Sequence, residues 1–101
     1  MKEKYAGIFP AFYACYDKNG EIDPQTVQEL TEYLIGKGIN GLYVGGSSGE
    51  CIYHSKEERK LVLENVVRAA KGRIVIIAHV ACNNTKDSME LAAHAESLGV
   101  D

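Results

Sequence analysis

Hydrophobic positions along the chain form short apolar runs separated by longer stretches in which they recur at helical spacing. The runs at 8–13, 41–45 and 74–78 predict three strands. The third run is apolar throughout, as is typical of a parallel strand that is covered on both faces. After each run, apolar residues recur every three or four positions, which predicts three amphipathic helices. The order β-α-β-α-β-α favours an α/β fold with a parallel sheet and right-handed crossovers.

Local signals mark where each predicted helix begins. Asp23 is a candidate N-cap, and Pro24 stands at the first helical position, where its missing N–H costs nothing. Ser55 and Glu58 have the spacing of a capping box, and residues 83–85 are expected to start the third helix. The residues expected to face the core are Val27, Leu30, Leu34, Val62, Leu63, Val66, Val67, Ala70, Leu91, Ala92, Ala95 and Leu98.

A short pattern follows the first predicted helix and recurs after the third. The Gly-Ile-Asn of 38–40 precedes the second strand, and the Gly-Val-Asp of 99–101 follows the third helix. Three strands and three helices alone would leave open sheet edges. We therefore expect residues 1–101 to be the N-terminal part of one larger domain, truncated before a fourth strand. A (β/α)8 barrel of about 250 residues is the expected parent, and an open flavodoxin-like sheet is the alternative.

Composition and charge exclude several classes of protein. The 101 residues are 46% hydrophobic and 25% charged, which is typical of a globular chain and not of a disordered one. The net charge of −3 has no basic block behind it, so neither a nucleic acid nor an anionic membrane is an expected partner. No apolar run has the length of a membrane span, and the charged start at 1–5, which includes Lys2, lacks the apolar core of a signal peptide. We expect a cytoplasmic location.

Three cysteines, Cys15, Cys51 and Cys82, are widely spaced and odd in number, so they predict free thiols. A metal cluster of these thiols with His79 is the alternative, although the spacing matches no known site. His79 at the end of an apolar strand is expected to be hydrogen-bonded within the fold. Two other histidines are predicted to be surface residues: His54 and His94.

The segment 46–50 is the best candidate for a binding site. Ligands of parallel α/β folds bind at the carboxyl ends of the strands, and this Gly-Ser-Ser-Gly-Glu loop follows the second strand. Glycines allow close approach and positive φ, successive N–H groups can form an anion-binding nest, and Ser47 and Ser48 add hydroxyl donors. This chemistry suits a small carboxylate, and a plain glycine turn is the alternative. We disfavour a nucleophile elbow here, because an elbow leads directly into a helix and the next helix is expected only after Ser55. We exclude a Walker loop, because no Gly-Lys-Ser/Thr follows.

The same loop, after Gly-Leu-Tyr-Val-Gly, resembles the G-x-x-G-E signature of the pyruvate-dependent class I aldolases. That family includes N-acetylneuraminate lyases and dihydrodipicolinate synthases, and the resemblance covers essentially the whole chain. Two loop serines, the preceding Gly-Leu-Tyr-Val and the Ala-His-Val of the third strand look more like the lyase branch. The synthases more often carry two threonines. The segment 9–17 departs from the usual Thr-Pro-Phe at the end of the first strand.

The resemblance implies a (β/α)8 barrel, usually a homotetramer, with no metal or organic cofactor. It implies a lysine that forms a Schiff base with pyruvate and a tyrosine that moves protons. Ser48 would bind the pyruvate carboxylate through its N–H and hydroxyl, and Ser47 would contact that carboxylate or the catalytic tyrosine. Glu50 would brace the loop. In the lyase branch the expected reaction is retro-aldol cleavage of N-acetylneuraminate, a sialic acid, to N-acetylmannosamine and pyruvate.

The Schiff-base lysine implied by this family is not among the lysines of the chain. Such a lysine must be partly neutral near pH 7, which requires a desolvated or cation-flanked position. No lysine lies at the pocket end of a predicted strand, so we expect the catalytic lysine and tyrosine to lie beyond Asp101 and the chain alone to be inactive. The alternatives are a dihydrodipicolinate synthase or related pyruvate aldolase, and a non-catalytic barrel fragment that self-associates.

Overall fold

The computed structural model describes residues 3–101, in which three α-helices alternate with a parallel pair of strands. The elements are α1 (Pro24–Gly36), β1 (Gly41–Val44), α2 (Lys56–Ala70), β2 (Val75–Ala78) and α3 (Thr85–Ser97). Gly41 lies opposite Val75 in the parallel register. The predicted alternation and the parallel sheet are confirmed. The charged start of the chain includes Met1 and Lys2, which lie outside the described residues.

The predicted strand at 8–13 is an extended segment that lies beside β1 without a regular ladder. The Tyr43 N–H donates to the Pro10 carbonyl oxygen at 3.0 Å, and the Phe12 N–H donates to the Tyr43 carbonyl oxygen at 2.9 Å. These two bonds form one parallel bridge, between Ala11 and Tyr43. Extending the ladder towards the start of β1 would require an N–H at position 10, which proline lacks. The predicted extended path and its parallel pairing are confirmed, but the prediction of a regular strand at 8–13 was wrong.

The predicted helix starts are confirmed by their capping bonds. The Asp23 carboxylate accepts the N–H groups of the first turn of α1. At α2 the Ser55 hydroxyl accepts the Glu58 N–H at 3.1 Å, and the Glu58 carboxylate accepts the Ser55 N–H at 2.8 Å. The Asn84 side chain accepts the Asp87 N–H at 2.8 Å at the start of α3. Each such cap stabilises its helix by about 1 kcal/mol.

The core lies between the helices and the sheet. Most of the predicted inward positions are buried or half-buried, but Ala92 is exposed. Ala92 follows the buried Leu91 by one residue, which places it about 100° further around α3 and towards solvent. Thr31 is fully buried although it is polar, because its hydroxyl donates to the Val27 carbonyl oxygen at 2.8 Å. The fully buried large side chains are Phe12, Leu42, Val27, Val66 and Thr31.

The connections that follow α1 and α3 share one geometry at the amino-terminal edge of the sheet. The Asn40 N–H donates to the Ile8 carbonyl oxygen at 3.0 Å, and Asn40 Oδ1 accepts the Ile8 N–H at 2.9 Å. The Asp101 N–H donates to the Ile76 carbonyl oxygen at 2.9 Å, and Asp101 Oδ2 accepts the Ile76 N–H at 3.1 Å. The repeat seen in the sequence is therefore also a repeat of hydrogen bonds.

The helices of the described residues are short. The longest, α2, has 15 residues, whereas a bilayer crossing takes about 20 apolar residues. Within residues 3–101 no helix meets the length and hydropathy that a membrane span requires.

Candidate functional site

The carboxyl-terminal edge of the sheet carries the predicted loop after β1. The structure forms this loop into two tight 3-10 turns, Ser47–Gly49 and Cys51–Tyr53, in place of the irregular loop expected. The Gly49 N–H donates to the Gly46 carbonyl oxygen at 3.1 Å, and the Glu50 N–H donates to the Ser47 carbonyl oxygen at 2.9 Å. Glu50 joins the two turns in the left-handed conformation, with a φ of 61°. Local hydrogen bonds thus determine the backbone path of the first turn, Ser47–Gly49, which we call the serine turn.

Both predicted binding residues, Ser47 and Ser48, are exposed on the first turn. Within residues 3–101 neither hydroxyl makes a hydrogen bond, and neither backbone N–H donates to another main-chain group. Two hydroxyls and two N–H groups are therefore available on one short turn at the carboxyl-terminal edge of the sheet. Such a set of donors suits an anion the size of a carboxylate.

A hydrogen-bonded network that the sequence did not predict lies beside this turn. The Tyr16 hydroxyl donates to Glu50 Oε1 at 2.8 Å and lies 2.6 Å from His54 Nε2. Partial burial and the bond to the Glu50 carboxylate raise the pKa of Tyr16 to about 12. His54 lies just before α2 and is half-buried, and its bond to Tyr16 is a contact that its prediction as a surface residue did not include. The one signal for Tyr16 was its place just after the first extended segment, at the same edge as the serine turn.

Arg59, in the first turns of α2, connects the carboxyl-terminal ends of the two strands. Its guanidinium donates to the carbonyl oxygens of His79 and Ala81, both at 2.9 Å, and to that of Gly45 at 3.4 Å. It also donates to Cys82 Sγ at 3.2 Å. No pattern in the sequence indicated these partners of Arg59.

His79 is hydrogen-bonded within the fold, as predicted. Its Nδ1 lies 2.9 Å from the Gly45 carbonyl oxygen, which can only accept, so Nδ1 carries the proton. His94 differs from its prediction as a surface residue. Its side chain is 15% exposed, and Nε2 lies 2.9 Å from Glu64 Oε2, because α3 packs against α2 at this position.

A cavity of about 670 Å³ opens between the loops that follow β1 and β2. Cys51 and Cys82 are among its lining residues, and all three cysteines are free, as predicted. Within residues 3–101 no group of three histidine, cysteine or acidic side chains is placed to hold a metal ion. The alternative of a metal cluster with His79 therefore has no support in the described part of the chain.

Lys56 also lines this cavity, but its environment is opposite to that of a Schiff-base lysine. Hydrogen bonds to Asp87 and then to Glu90 raise the pKa of Lys56, which keeps the amine charged. A hydrogen bond to Asp101 likewise raises the pKa of Lys4. A nucleophilic lysine needs a lowered pKa, so neither amine is prepared to attack a carbonyl.

Comparisons with known proteins agree with this geometry. A model of the dihydrodipicolinate synthetase family matches residues 4–101. The N-acetylneuraminate lyase of Mediterraneibacter gnavus is 68% identical over 99 residues, which cover 98% of this chain and 31% of that protein. The wild-type sialic acid aldolase of Ruminococcus gnavus is 68% identical with a TM-score of 0.96, covering 98% of this chain and 33% of that one. Dihydrodipicolinate synthase DapA-2 of Bacillus anthracis is 33% identical with a TM-score of 0.85, covering 94% and 33%.

These matches also identify the architecture. The similar solved structures are (β/α)8-barrel aldolases, and the three helices and parallel sheet correspond to the first βα units of such a barrel. The predicted fold class is confirmed over the flavodoxin-like alternative. The chain spans about a third of the length of the curated relatives it matches.

Proposed function

Because the chain belongs to the dihydrodipicolinate synthetase family, we propose that it is part of an N-acetylneuraminate lyase. The observation that carries the proposal is the 68% identity to such a lyase over 98% of the chain. The identity to the synthase DapA-2 is only 33% over a similar span, which favours the lyase branch over the synthase branch.

We propose that the serine turn binds the carboxylate of pyruvate, both free and as part of the sugar acid. Ser48 donates its N–H and hydroxyl to the carboxylate, and Ser47 donates to the same group or to the catalytic tyrosine. Both residues are exposed and hold unpaired donors at the carboxyl-terminal edge of the sheet, which supports this assignment. Charge-assisted hydrogen bonds of this kind are among the stronger ones in proteins.

In this proposal the cleavage of the sugar acid proceeds through an imine between a lysine and the substrate. A lysine amine condenses with the carbonyl of the open-chain sugar acid and releases water, and the resulting iminium accepts the electron pair when the carbon–carbon bond breaks. The hydroxyl group next to the breaking bond loses its proton and becomes the aldehyde of N-acetylmannosamine. The enamine that remains on the lysine takes up a proton on carbon, and hydrolysis of the resulting imine gives pyruvate and the free amine. No metal or organic cofactor takes part in this proposal.

We propose that residues 1–101 are the first three βα units of one barrel domain, and that the lysine and tyrosine lie in later strands. The raised pKa values of Lys4 and Lys56 support this placement, as does the pairing of Asp101 with the outer edge of β2. On this proposal the 101-residue chain is inactive alone, and the whole protein is a cytoplasmic homotetramer. A non-catalytic self-associating fragment is the competing interpretation.

Intact mass after treatment with pyruvate and borohydride tests the proposal. The full-length protein that contains this segment should gain one reduced pyruvate adduct, and the isolated 101-residue chain should gain none. In the full-length protein, Ser48→Ala should raise the KM for pyruvate in the condensation direction by about tenfold, since the hydroxyl's bond to the charged carboxylate is lost while the N–H remains. Ser97→Ala on the exposed face of α3 is the matched control. A full-length protein without an adduct contradicts the lyase, and an adduct on the isolated chain contradicts the placement of the lysine.

A further inference from the structure

The network of Tyr16, Glu50 and His54 connects three segments that are distant in the sequence. Tyr16 follows the extended segment beside β1, Glu50 ends the serine turn, and His54 follows the second 3-10 turn. The Tyr16 hydroxyl has one proton, and the 2.8 Å bond to the Glu50 carboxylate uses it. The proton in the 2.6 Å contact must therefore come from His54 Nε2. The order of donation is His54 to Tyr16 to Glu50.

Two of the three non-glycine residues with positive φ in residues 3–101 lie at or next to this network. Cys15, directly before Tyr16, has a φ of 66°, and Glu50 itself has a φ of 61°. Residues with a Cβ rarely adopt this conformation, and each instance costs on the order of 1 kcal/mol. Strained positions of this kind persist only where surrounding contacts hold them, and they cluster at binding sites. Main-chain bonds hold both positions, since the Cys15 carbonyl oxygen accepts the Asp23 N–H and the Glu50 carbonyl oxygen accepts the Tyr53 N–H, and the network adds a side-chain bond at Glu50.

We propose that Tyr16 and His54 are positioning residues that hold Glu50, and through it the turn Ser47–Gly49, in the geometry that binds a substrate carboxylate. The inference rests on the proposed function, because it concerns the same serine turn. Glu50 is the left-handed residue on which the turn ends, and its N–H closes the turn on the Ser47 carbonyl oxygen at 2.9 Å. When the Tyr16 hydroxyl is removed, the turn samples other conformations and binds the carboxylate more weakly.

The charges around Tyr16 give the network a spectroscopic signature. Glu50 and, more weakly, Glu58 oppose ionisation of the phenol, and the pKa of Tyr16 is raised to about 12 by partial burial and then by the Glu50 bond. The phenol therefore stays protonated as a donor across the physiological range. In an ultraviolet titration one tyrosine should ionise well above the ordinary value of about 10. That late step should disappear in Tyr16→Phe and move to lower pH in Glu50→Ala.

Kinetics of the full-length protein test the positioning role. Tyr16→Phe should raise the KM for pyruvate about fivefold, because a bond to a charged group is lost, and should leave kcat within about twofold. Tyr53→Phe is the matched control. It also removes a phenol from this region, but the Tyr53 side chain is 76% exposed and its hydroxyl makes no hydrogen bond within residues 3–101. Its KM and kcat should equal those of the wild type.

A conservative variant and a double mutant separate positioning from general destabilisation. Glu50→Gln keeps an oxygen that accepts from Tyr16 and should retain most of the affinity, whereas Glu50→Ala should match Tyr16→Phe. The double variant Tyr16→Phe/Glu50→Ala should be no worse than either single one, because both remove the same bond. Two results would overturn the positioning role of Tyr16 and His54 while leaving the proposed function intact. They are additive effects in the double variant, and an unchanged KM in Tyr16→Phe while the wild type forms its adduct. A wild type without an adduct overturns the proposed function and this inference with it.

Discussion

Gly49 lies directly against the main chain of Phe12. A Cβ on Gly49 would stand 2.8 Å from the Phe12 carbonyl oxygen, which is closer than side-chain carbons approach backbone oxygens. The serine turn therefore rests on the extended segment beside β1, and only glycine permits this approach.

Gly49→Ala should destabilise the fold and disturb the turn. The added methyl cannot be accommodated without moving backbone, so we expect a loss of about 1–3 kcal/mol in the free energy of unfolding. Gly36→Ala is the control, because Gly36 has open space around it at the end of α1. That variant should gain about 0.5 kcal/mol from the reduced entropy of the unfolded chain. Urea unfolding measures both, and equal stabilities would contradict the close packing of Gly49.

Arg59 should contribute more to stability than an ordinary surface arginine. Arg59→Met leaves the His79 and Ala81 carbonyl oxygens without the arginine donor. It leaves the Gly45 oxygen with the His79 bond alone, so we expect a loss of about 3 kcal/mol. Arg59→Lys, with one ammonium in place of a forked guanidinium, should fall between Met and the wild type. Arg68→Met is the control, since Arg68 is exposed in the last turn of α2. Denaturant midpoints check the order, and similar losses at both arginines would refute it.

Asn40 should be required for the attachment of the first segment to the sheet. Asn40→Ala removes the acceptor of the Ile8 N–H, so we expect a loss of about 1 kcal/mol and faster hydrogen exchange at the Ile8 amide. Asn40→Asp keeps an oxygen at the same position and should preserve both properties. Protection of the Ile8 amide that survives Asn40→Ala would show that the side-chain bond is unimportant.

Glu90 should add to the loss of stability in acid. Hydrogen bonds from Lys60 and then Lys56 lower the pKa of Glu90 below its ordinary 4.5. A lowered carboxyl pKa stabilises the fold above pH 4.5, and this contribution is lost as the pH falls through the folded value. Glu90→Gln should therefore flatten the stability profile below pH 4.5. Glu96→Gln, on the same helix but without an ion pair within residues 3–101, is the control. Parallel acid profiles for Glu90→Gln and the wild type would contradict the role of the lysines.

The features that the sequence predicted correctly are local ones. The caps at Asp23 and Ser55 depend on residues within one helical turn, so spacing alone reveals them. Pro10 shows how one residue changes a correct prediction, because its missing N–H falls on the one bond that a regular ladder would need. The exposure of Ala92 depends on how little of α3 faces the sheet, which spacing within the helix does not determine.

The predicted site was only part of what lies at that edge. The serine turn was found because its glycines and hydroxyls are adjacent in the sequence. Tyr16 and His54 are separated by 38 residues, and Arg59 reaches a carbonyl 22 residues away. Contacts of this kind depend on which loops the parallel sheet brings together, and no periodic pattern records them.

The shared geometry of Asn40 and Asp101 makes the chain modular. Asn40 fastens the second βα unit to the first, and Asp101 bonds the third unit in the same way, each through one short side chain that bonds both main-chain groups of one residue. At this edge the third unit is joined to the second by the main chain alone, since the Val75 N–H donates to the Asn40 carbonyl oxygen. The side-chain joint lies at the edge opposite to the serine turn, so it places no demand on the residues that meet a ligand. A unit that starts with Asn or Asp can therefore be appended by the same rule, while its loops at the far edge are free to acquire different chemistry.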